Sequence, residues 1–323
     1  MRVGLDVSPL AQTRAGTARH VRGLLAELRD RPGLGLVGLS AGESTGRLAT
    51  IRRDVLWYPL RLGTASAGLD VLHCTTFRAP LRPRTPLVVT VHDLAILRHP
   101  ETFPAWHRTS GRIALQAALR VADAVVAVSA FTCDELVELL SVPRERIRVV
   151  PNGVDAVFVP EGSASEGDYV LAVGTREPRK NLAAAVEAAR LAGVELRVAG
   201  AAGWGGVTTA GWIGEPGDEE LAALMRGARC LVYPSLYEGF GVPIVEAMAC
   251  GTPVVTSRGG ATEEVAGGAA VLVDAHDPAA IAAGIAEAAR RRDELVRAGL
   301  TRAAEFPWRR SADLVEALWQ ELV

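Results

Sequence analysis

Short apolar runs rich in valine and leucine alternate with longer stretches of helical periodicity, and that alternation leaves this chain few ways to fold. RVGLDV, LVGLS, DVLHC, PLVVTVHD and DAVVAVS each have the length and composition of a buried strand. Between several of them, ARHVRGLLAEL, SGRIALQAALRVA and FTCDELVELLS place apolar residues at helical spacing. A second series follows: YVLAVG, ELRVAG, RCLVYPS and PVVTS, with helical segments after Asn181, in DEELAALMRGA and after Pro243. Such βα alternation predicts mostly parallel sheets with helices on both faces. At 323 residues the chain is long enough for two cores. The expected fold class is therefore α/β, two Rossmann-like doubly wound domains facing across a cleft. Gly153 marks a turn, and AVFVPEGSASEGD, residues 156–168, reads as a linker because it is rich in Gly, Ser and Pro. The expected domains are residues 1–160 and 161–323, with the terminal amphipathic helix RSADLVEALWQEL a candidate to pack back on the first. In open α/β sheets, ligands sit off the carboxyl ends of the strands, so the loops there are where function is sought.

Composition excludes several classes. A formal net charge of −2 gives no electrostatic support for a nucleic-acid partner. MRVGLDVSPL lacks the apolar stretch of a signal peptide, and no apolar run is long enough for a transmembrane segment. Cys74, Cys133, Cys230 and Cys250 are scattered without a CxxC pair, which reads as free thiols in a reducing, cytoplasmic setting. No clustered metal ligands are seen. Of 35 Lys plus Arg residues, Lys180 is the one lysine.

Two loops carry the chemistry. PSLYEGFGVPIVEAMACG joins the strand RCLVYPS to a helix that Pro243 can start and Gly251 can cap. The first turn of a helix presents unpaired N–H groups, and its dipole favours an anion. An anion near the amides of Phe240, Gly241 and Val242 follows, with Gly239 and Gly241 allowing close approach. Glu238 and Glu246, eight positions apart, cannot ligate phosphate themselves but suit hydroxyls on either side of it. A ligand with sugar, phosphates and sugar in series meets that description; the bland alternative is two ordinary acids. The second loop, LAVGTREPRKN, sets Arg179 and Lys180 at another strand end, where they can neutralise a diphosphate. Alone, such a pair is usually solvated surface.

VGTREPRKNL together with YPSLYEGFGVPIVEAMACGTPVVTSRGGATEEVAGGAAVLVD resembles the retaining GT-B glycosyltransferases of family GT4. The resemblance covers most of residues 169–275. It extends more loosely to VHDLAILRHPETFP, to VSAFTCDELVELLSVPRERIRVVPNGVD, and to the glycine loop before the first helix. It implies transfer of a sugar from a nucleotide diphosphate sugar to an acceptor hydroxyl, a glycan, small molecule or lipid-linked group, without a metal or other cofactor. It also implies roles. Glu238 contacts hydroxyls of the transferred sugar and Glu246 holds the ribose. Gly239, Phe240, Gly241 and Val242 contact diphosphate and sugar through their backbone, and Arg179 and Lys180 bind the diphosphate. Gly16 stands where members often have paired glycines. Some members have Arg directly after the loop glycine; here that place is Thr175, with Arg176 next. GWIG makes Ile213 a candidate for base contact, and the preceding AAGWGGVTTA is shorter than usual.

His92, in VHD at the end of PLVVTV, is placed where family histidines lie beside the transferred sugar. Asp93 either orients its ring or caps the next turn, and His73 is a weaker candidate. The implied catalytic set is Glu238, His92, Lys180 and Arg179. With no obvious basic amphipathic helix in the first half, the reading leans slightly to a soluble acceptor over a membrane lipid. Competing readings are a nucleotide-sugar epimerase, a sugar phosphorylase and a catalytically silent sugar-nucleotide-binding subunit. An NAD-binding protein fails because no GxGxxG follows the first strand.

Overall fold

The computed structural model describes residues 1–12, 16–42, 46–203 and 210–323, and only the backbone of 47–49. Among the described residues there are twelve named strands, all in parallel pairings. In the first sheet β1 (Arg2–Asp6), β2 (Gly35–Leu39), β3 (Val71–Cys74), β4 (Leu87–Val91), β5 (Ala124–Ala127) and β6 (Ile147–Val149) lie in the order β2-β1-β3-β4-β5-β6. Its α-helices before the terminal one are α1 (Gly16–Leu28), α2 (Arg47–Arg52), α3 (Leu62–Ala65), α4 (Ala95–Arg98), α5 (Ala105–Val121) and α6 (Ala130–Leu140), with a π-helix, Arg53–Arg61, joining α2 to α3.

Alternate residues of one strand serve opposite faces, which is why these strands read as continuous apolar runs. Leu87, Val89 and Val91 pack with Leu115, Ala118 and Leu119 of α5. Val88, between them, packs with Leu24 and Leu28 of α1 and with Val315 and Trp319. The last two belong to the terminal helix, so the first unit consists of Met1–Gly153 and Trp308–Val323. Glycine makes that return possible. A Cβ on Gly23 or on Gly153 would lie 2.1 or 2.5 Å from the Trp308 ring, inside any real contact distance.

The second unit is Val154–Pro307. Its strands β7 (Tyr169–Val173), β8 (Glu195–Ala199), β9 (Trp212–Gly214), β10 (Leu231–Tyr233), β11 (Val254–Ser257) and β12 (Val271–Val273) lie in the order β12-β11-β10-β7-β8-β9. Its helices are α7 (Leu182–Ala192), α8 (Asp218–Gly227), α9 (Val242–Ala249), α10 (Gly260–Ala266), α11 (Pro278–Arg290) and α12 (Arg292–Ala303); α13 (Trp308–Glu321) is the terminal helix of the first unit. Val170, Val232 and Val255 pack with Ala185 and Ala188 of α7 and Ile281 and Ile285 of α11.

Two expectations need correction. Residues 156–168 are not a linker, and the break falls at Gly153–Val154, not at 160–161. The Ser165 amide donates to the Ala223 carbonyl at 2.9 Å, and the Arg226 guanidinium donates to the carbonyls of Ser163 and Val159 at 2.7 and 3.1 Å. Hydrogen-bonded backbone fixes this stretch to the second unit despite its loop-like composition. Secondly, the first half does contain a basic amphipathic helix. α5 carries Arg108, Arg112 and Arg120 and no acid. Its outer surface exposes Trp106 and Ile113, each at 62%. Its burial of Leu115, Ala118 and Leu119 disguised it as an ordinary crossover helix. Among the described residues no helix is long and apolar enough to cross a membrane.

Candidate active site

The two sequence loops meet because β7 and β10 are neighbours and run parallel, so their carboxyl ends lie side by side. The Leu236 amide donates to the Arg179 carbonyl at 2.8 Å, tying one loop to the other. Asn181 tightens the junction. It adopts a left-handed backbone (φ 53°) and its amide donates to the carbonyls of Pro234 (3.1 Å) and Ala275 (2.7 Å).

Glu238 is the centre of this junction. It is only 8% exposed. One carboxylate oxygen accepts from Lys180 Nζ (2.5 Å) and from the Tyr233 hydroxyl (2.8 Å). The other accepts from Arg179 Nη1 (3.0 Å). Lys180 also donates to the Tyr233 oxygen at 2.9 Å, closing a ring of three groups. Arg179 donates further to the Tyr237 carbonyl (3.2 Å) and pairs through Nη2 with Glu177 (2.8 Å). Burial by itself would raise the Glu238 carboxyl, but Lys180 and Arg179 outweigh it and pull it down from 4.5 to about 2. Burial, reinforced by Glu238, pushes the Tyr233 phenol well above its ordinary value, so it stays protonated and donates.

A stability prediction arises here. A carboxyl lowered in the folded state contributes stability that is present above its unfolded value and lost as pH falls toward its folded value. Wild type is therefore expected to exceed Glu238→Gln in stability at pH 7, with the gap closing between about pH 4.5 and 2. Urea midpoints of both proteins across that range check it; a gap independent of pH would remove the charge from the explanation.

The glycine turn then hands over to α9. Gly241 caps the helix with φ 99°, a conformation other residues resist, and Pro243 occupies its first turn. Glu246 lies on α9 at 2% exposure. The Phe240 residue is buried, and its ring packs edge-on against Phe306, centroids 5.6 Å apart. Arg176 does not join Glu238 in any of these contacts; its guanidinium stacks on the Trp212 ring at 4.0 Å. Ile213 beside it, on the edge strand β9, is 47% exposed. Residues 204–209 of AAGWGGVTTA lie outside the described residues.

In the first unit, His92 follows β4. Its Nε2 lies 2.9 Å from the Thr75 carbonyl, which can only accept, so Nε2 carries the proton and Nδ1 keeps its lone pair. Burial lowers its basicity. The His20 ring stands edge-on to it, centroids 4.9 Å apart, and His20 Nδ1 bonds Asn152 Oδ1 at 2.8 Å. Asp93 caps: it accepts from the Ala95 amide at 3.0 Å. His73 is a core residue, fully buried, bonded to Thr90 (2.9 Å) and edge-on to Trp319. Gly16 begins α1, and residues 13–15 before it lie outside the described residues. Among the described residues no group of three or more His, Cys, Asp or Glu side chains is placed to hold a metal ion.

Sequence reasoning missed Glu177, Tyr233, His20 and Asn152. Tyr233 and Glu177 each carried a signal, since both lie at the strand ends already singled out. His20 and Asn152 carried none, being far apart in sequence.

The family model "Glycosyl transferases group 1" matches residues 155–302, and "Glycosyltransferase Family 4" matches residues 14–158. O-antigen chain mannosyltransferase B of Escherichia coli is 33% identical over 271 residues, covering 74% of this chain and 71% of the relative. The chain belongs to the group 1, family 4 glycosyltransferases. A D-inositol 3-phosphate glycosyltransferase of Acidothermus cellulolyticus is 32% identical over 277 residues, covering 73% of this chain; the aligned region spans 62% of that relative's length. Among solved structures, sucrose-phosphate synthase from Thermosynechococcus elongatus superposes with a TM-score of 0.79 at 19% identity, covering 100% and 99% of the two chains. Anabaena HepE in complex with UDP-glucose gives 0.75 at 20% identity, covering 99% and 100%. This glycosyltransferase thus has the GT-B class of fold, two parallel six-stranded sheets with helices around each.

Proposed function

We propose that this glycosyltransferase moves a sugar from a nucleotide diphosphate sugar to an acceptor hydroxyl with retention at the anomeric carbon, and that the second unit holds the donor. The observation that carries the reading is Glu238, a buried carboxylate held ionised by Lys180 and Arg179 at a strand end, beside a glycine turn opening α9. An ionised, oriented acceptor oxygen there suits sugar hydroxyls. The amides of Gly239 to Val242 and the ammonium of Lys180 suit the diphosphate. Glu246 would take the ribose, Ile213 and its neighbours the base. Stabilising the charge that develops on the departing diphosphate would be the main catalytic effect, and no metal is invoked. His92 and Gly16 would face the acceptor side. The acceptor is to be sought among glycans, small molecules and lipid-linked groups, and the exposed Trp106 and Ile113 of α5 withdraw the lean toward soluble ones. Four buried free thiols fit a reducing, cytoplasmic setting.

The test is a thermal-shift panel of UDP, GDP, ADP and dTDP with their sugars, followed by release of nucleoside diphosphate with and without acceptor. Ligand stabilisation follows affinity. Acceptor-dependent release excludes the epimerase and the silent subunit. Glu246→Ala is expected to weaken the bare nucleoside diphosphate by about tenfold, the worth of a charge-assisted hydrogen bond. Calorimetric titration reads that; an unchanged affinity withdraws the ribose assignment.

A further inference from the structure

Glu177 has no role in the reading above, yet it is among the best-buried carboxylates of the second unit, 3% exposed. It directly precedes the short turn Pro178–Lys180, whose Lys180 amide donates to the Glu177 carbonyl at 3.1 Å. Its side chain pairs with Arg179 Nη2 at 2.8 Å, while Arg179 Nη1 serves Glu238 at 3.0 Å and the Tyr237 carbonyl at 3.2 Å. Arg179 is therefore a bridge between two buried carboxylates. It reaches Glu177 as well as Glu238, which sets it apart from Lys180, whose side chain bonds Glu238 and Tyr233.

The charge count follows. Arg179 and Lys180 bring two positive charges, and Glu177 and Glu238 bring two negative ones. A clamp intended only to grip diphosphate would have no use for Glu177. We propose that Glu177 is a positioning residue that turns Arg179 toward Glu238 and offsets its charge, so that nucleoside diphosphate is held weakly enough to leave after transfer. The proposal rests on the donor-site reading above. Glu177 touches no substrate in it; it acts through Arg179. Because the pair is buried, its field is poorly screened and reaches a bound phosphate.

Glu177→Gln keeps the shape and removes the charge. The nucleotide used is whichever of UDP, GDP, ADP and dTDP most stabilises wild type. Its affinity is expected to rise on the order of threefold to tenfold at low salt, shrinking as salt is added. Steady-state turnover should fall by a similar factor while the first turnover persists as a burst, because product leaves slowly. A lost hydrogen-bonding scaffold alone would weaken the nucleotide, not tighten it. The double variant Glu177→Gln with Arg179→Gln removes both charges together, which a buried site tolerates better than a half-broken pair. It should bind the nucleotide within about twofold of wild type, the net charge being restored, and still transfer slowly because Glu238 has lost its guanidinium. Unchanged or weaker binding in Glu177→Gln overturns the proposal. Should that variant not fold, the double variant decides: loss of nucleotide affinity there makes Arg179 a phosphate ligand and overturns it. If wild type binds none of the four nucleotides, the donor-site reading itself fails and takes the proposal with it.

Discussion

Glu238→Ala is expected to reduce sugar transfer by about two orders of magnitude while leaving nucleoside diphosphate bound at least as tightly as in wild type. The first half of this expectation follows from what the carboxylate offers. Held between Lys180, Arg179 and Tyr233, it is an ionised acceptor whose direction is already fixed. Charge-assisted hydrogen bonds contribute roughly 1.5–3 kcal/mol each. Losing one or two from the reacting sugar accounts for about one to three decades in rate. The second half follows from what the carboxylate restrains. Without it Lys180 loses its anion and can serve phosphate, while Arg179 keeps its pairing with Glu177. The variant will be less stable, since removing one member of a buried pair costs about 3–5 kcal/mol, so rates belong well below its unfolding temperature. Calorimetry with nucleoside diphosphate and a single-turnover assay with donor, on one preparation, separate the two halves. Parallel losses of nucleotide binding and of transfer would make Glu238 a structural residue of the loop.

His92→Ala should also lower turnover by about 10²-fold, the lower part of the range for a group acting in the transition state, with little change in nucleotide affinity. The Thr75 carbonyl fixes the proton on Nε2, so Nδ1 can only accept. The side chain is suited to receive a hydroxyl proton or to orient a hydroxyl, and His20 with Asn152 limits its swing. Its basicity is lowered by burial, so the neutral form persists below the ordinary value of 6.5. Transfer should therefore hold its rate as pH falls to 6.5 and decline only further down. His92→Gln, which keeps a donor and an acceptor, should recover part of the loss. Wild-type speed in His92→Ala would move the search for the catalytic surface of the first unit to Gly16 and its loop.

The strands and most helices were legible because both faces of each sheet are covered, which writes itself into sequence as continuous apolar runs. The donor loops were legible because Gly, Glu, Arg and Lys cluster within a few positions at strand ends. What escaped notice depends on contacts across long separations. Nothing local to Gly23, Gly153 or Trp308 announces that two missing side chains make room for one indole. Asn152 could not be linked to His20 before the fold brought them to 2.8 Å. Glu177 was visible but looked like one charge in a charged loop; only its burial and its partner distinguish it. The false linker at 156–168 shows composition yielding to hydrogen bonding, since Arg226 reaches back to hold backbone that its own sequence would leave loose.

The return of α13 to the first sheet also has a meaning in time. Val315, Leu318 and Trp319 fill a core whose other walls come from β1, β3, β4, β5 and α1. A ribosome making this chain releases those residues after everything between Val154 and Pro307. The later-encoded unit can thus be finished while the earlier one still waits with an open apolar face, so the order of completion runs opposite to the order in which the two units begin to be made. During that interval it is the sheet bearing His92, not the one bearing Glu238, that most needs shelter from aggregation.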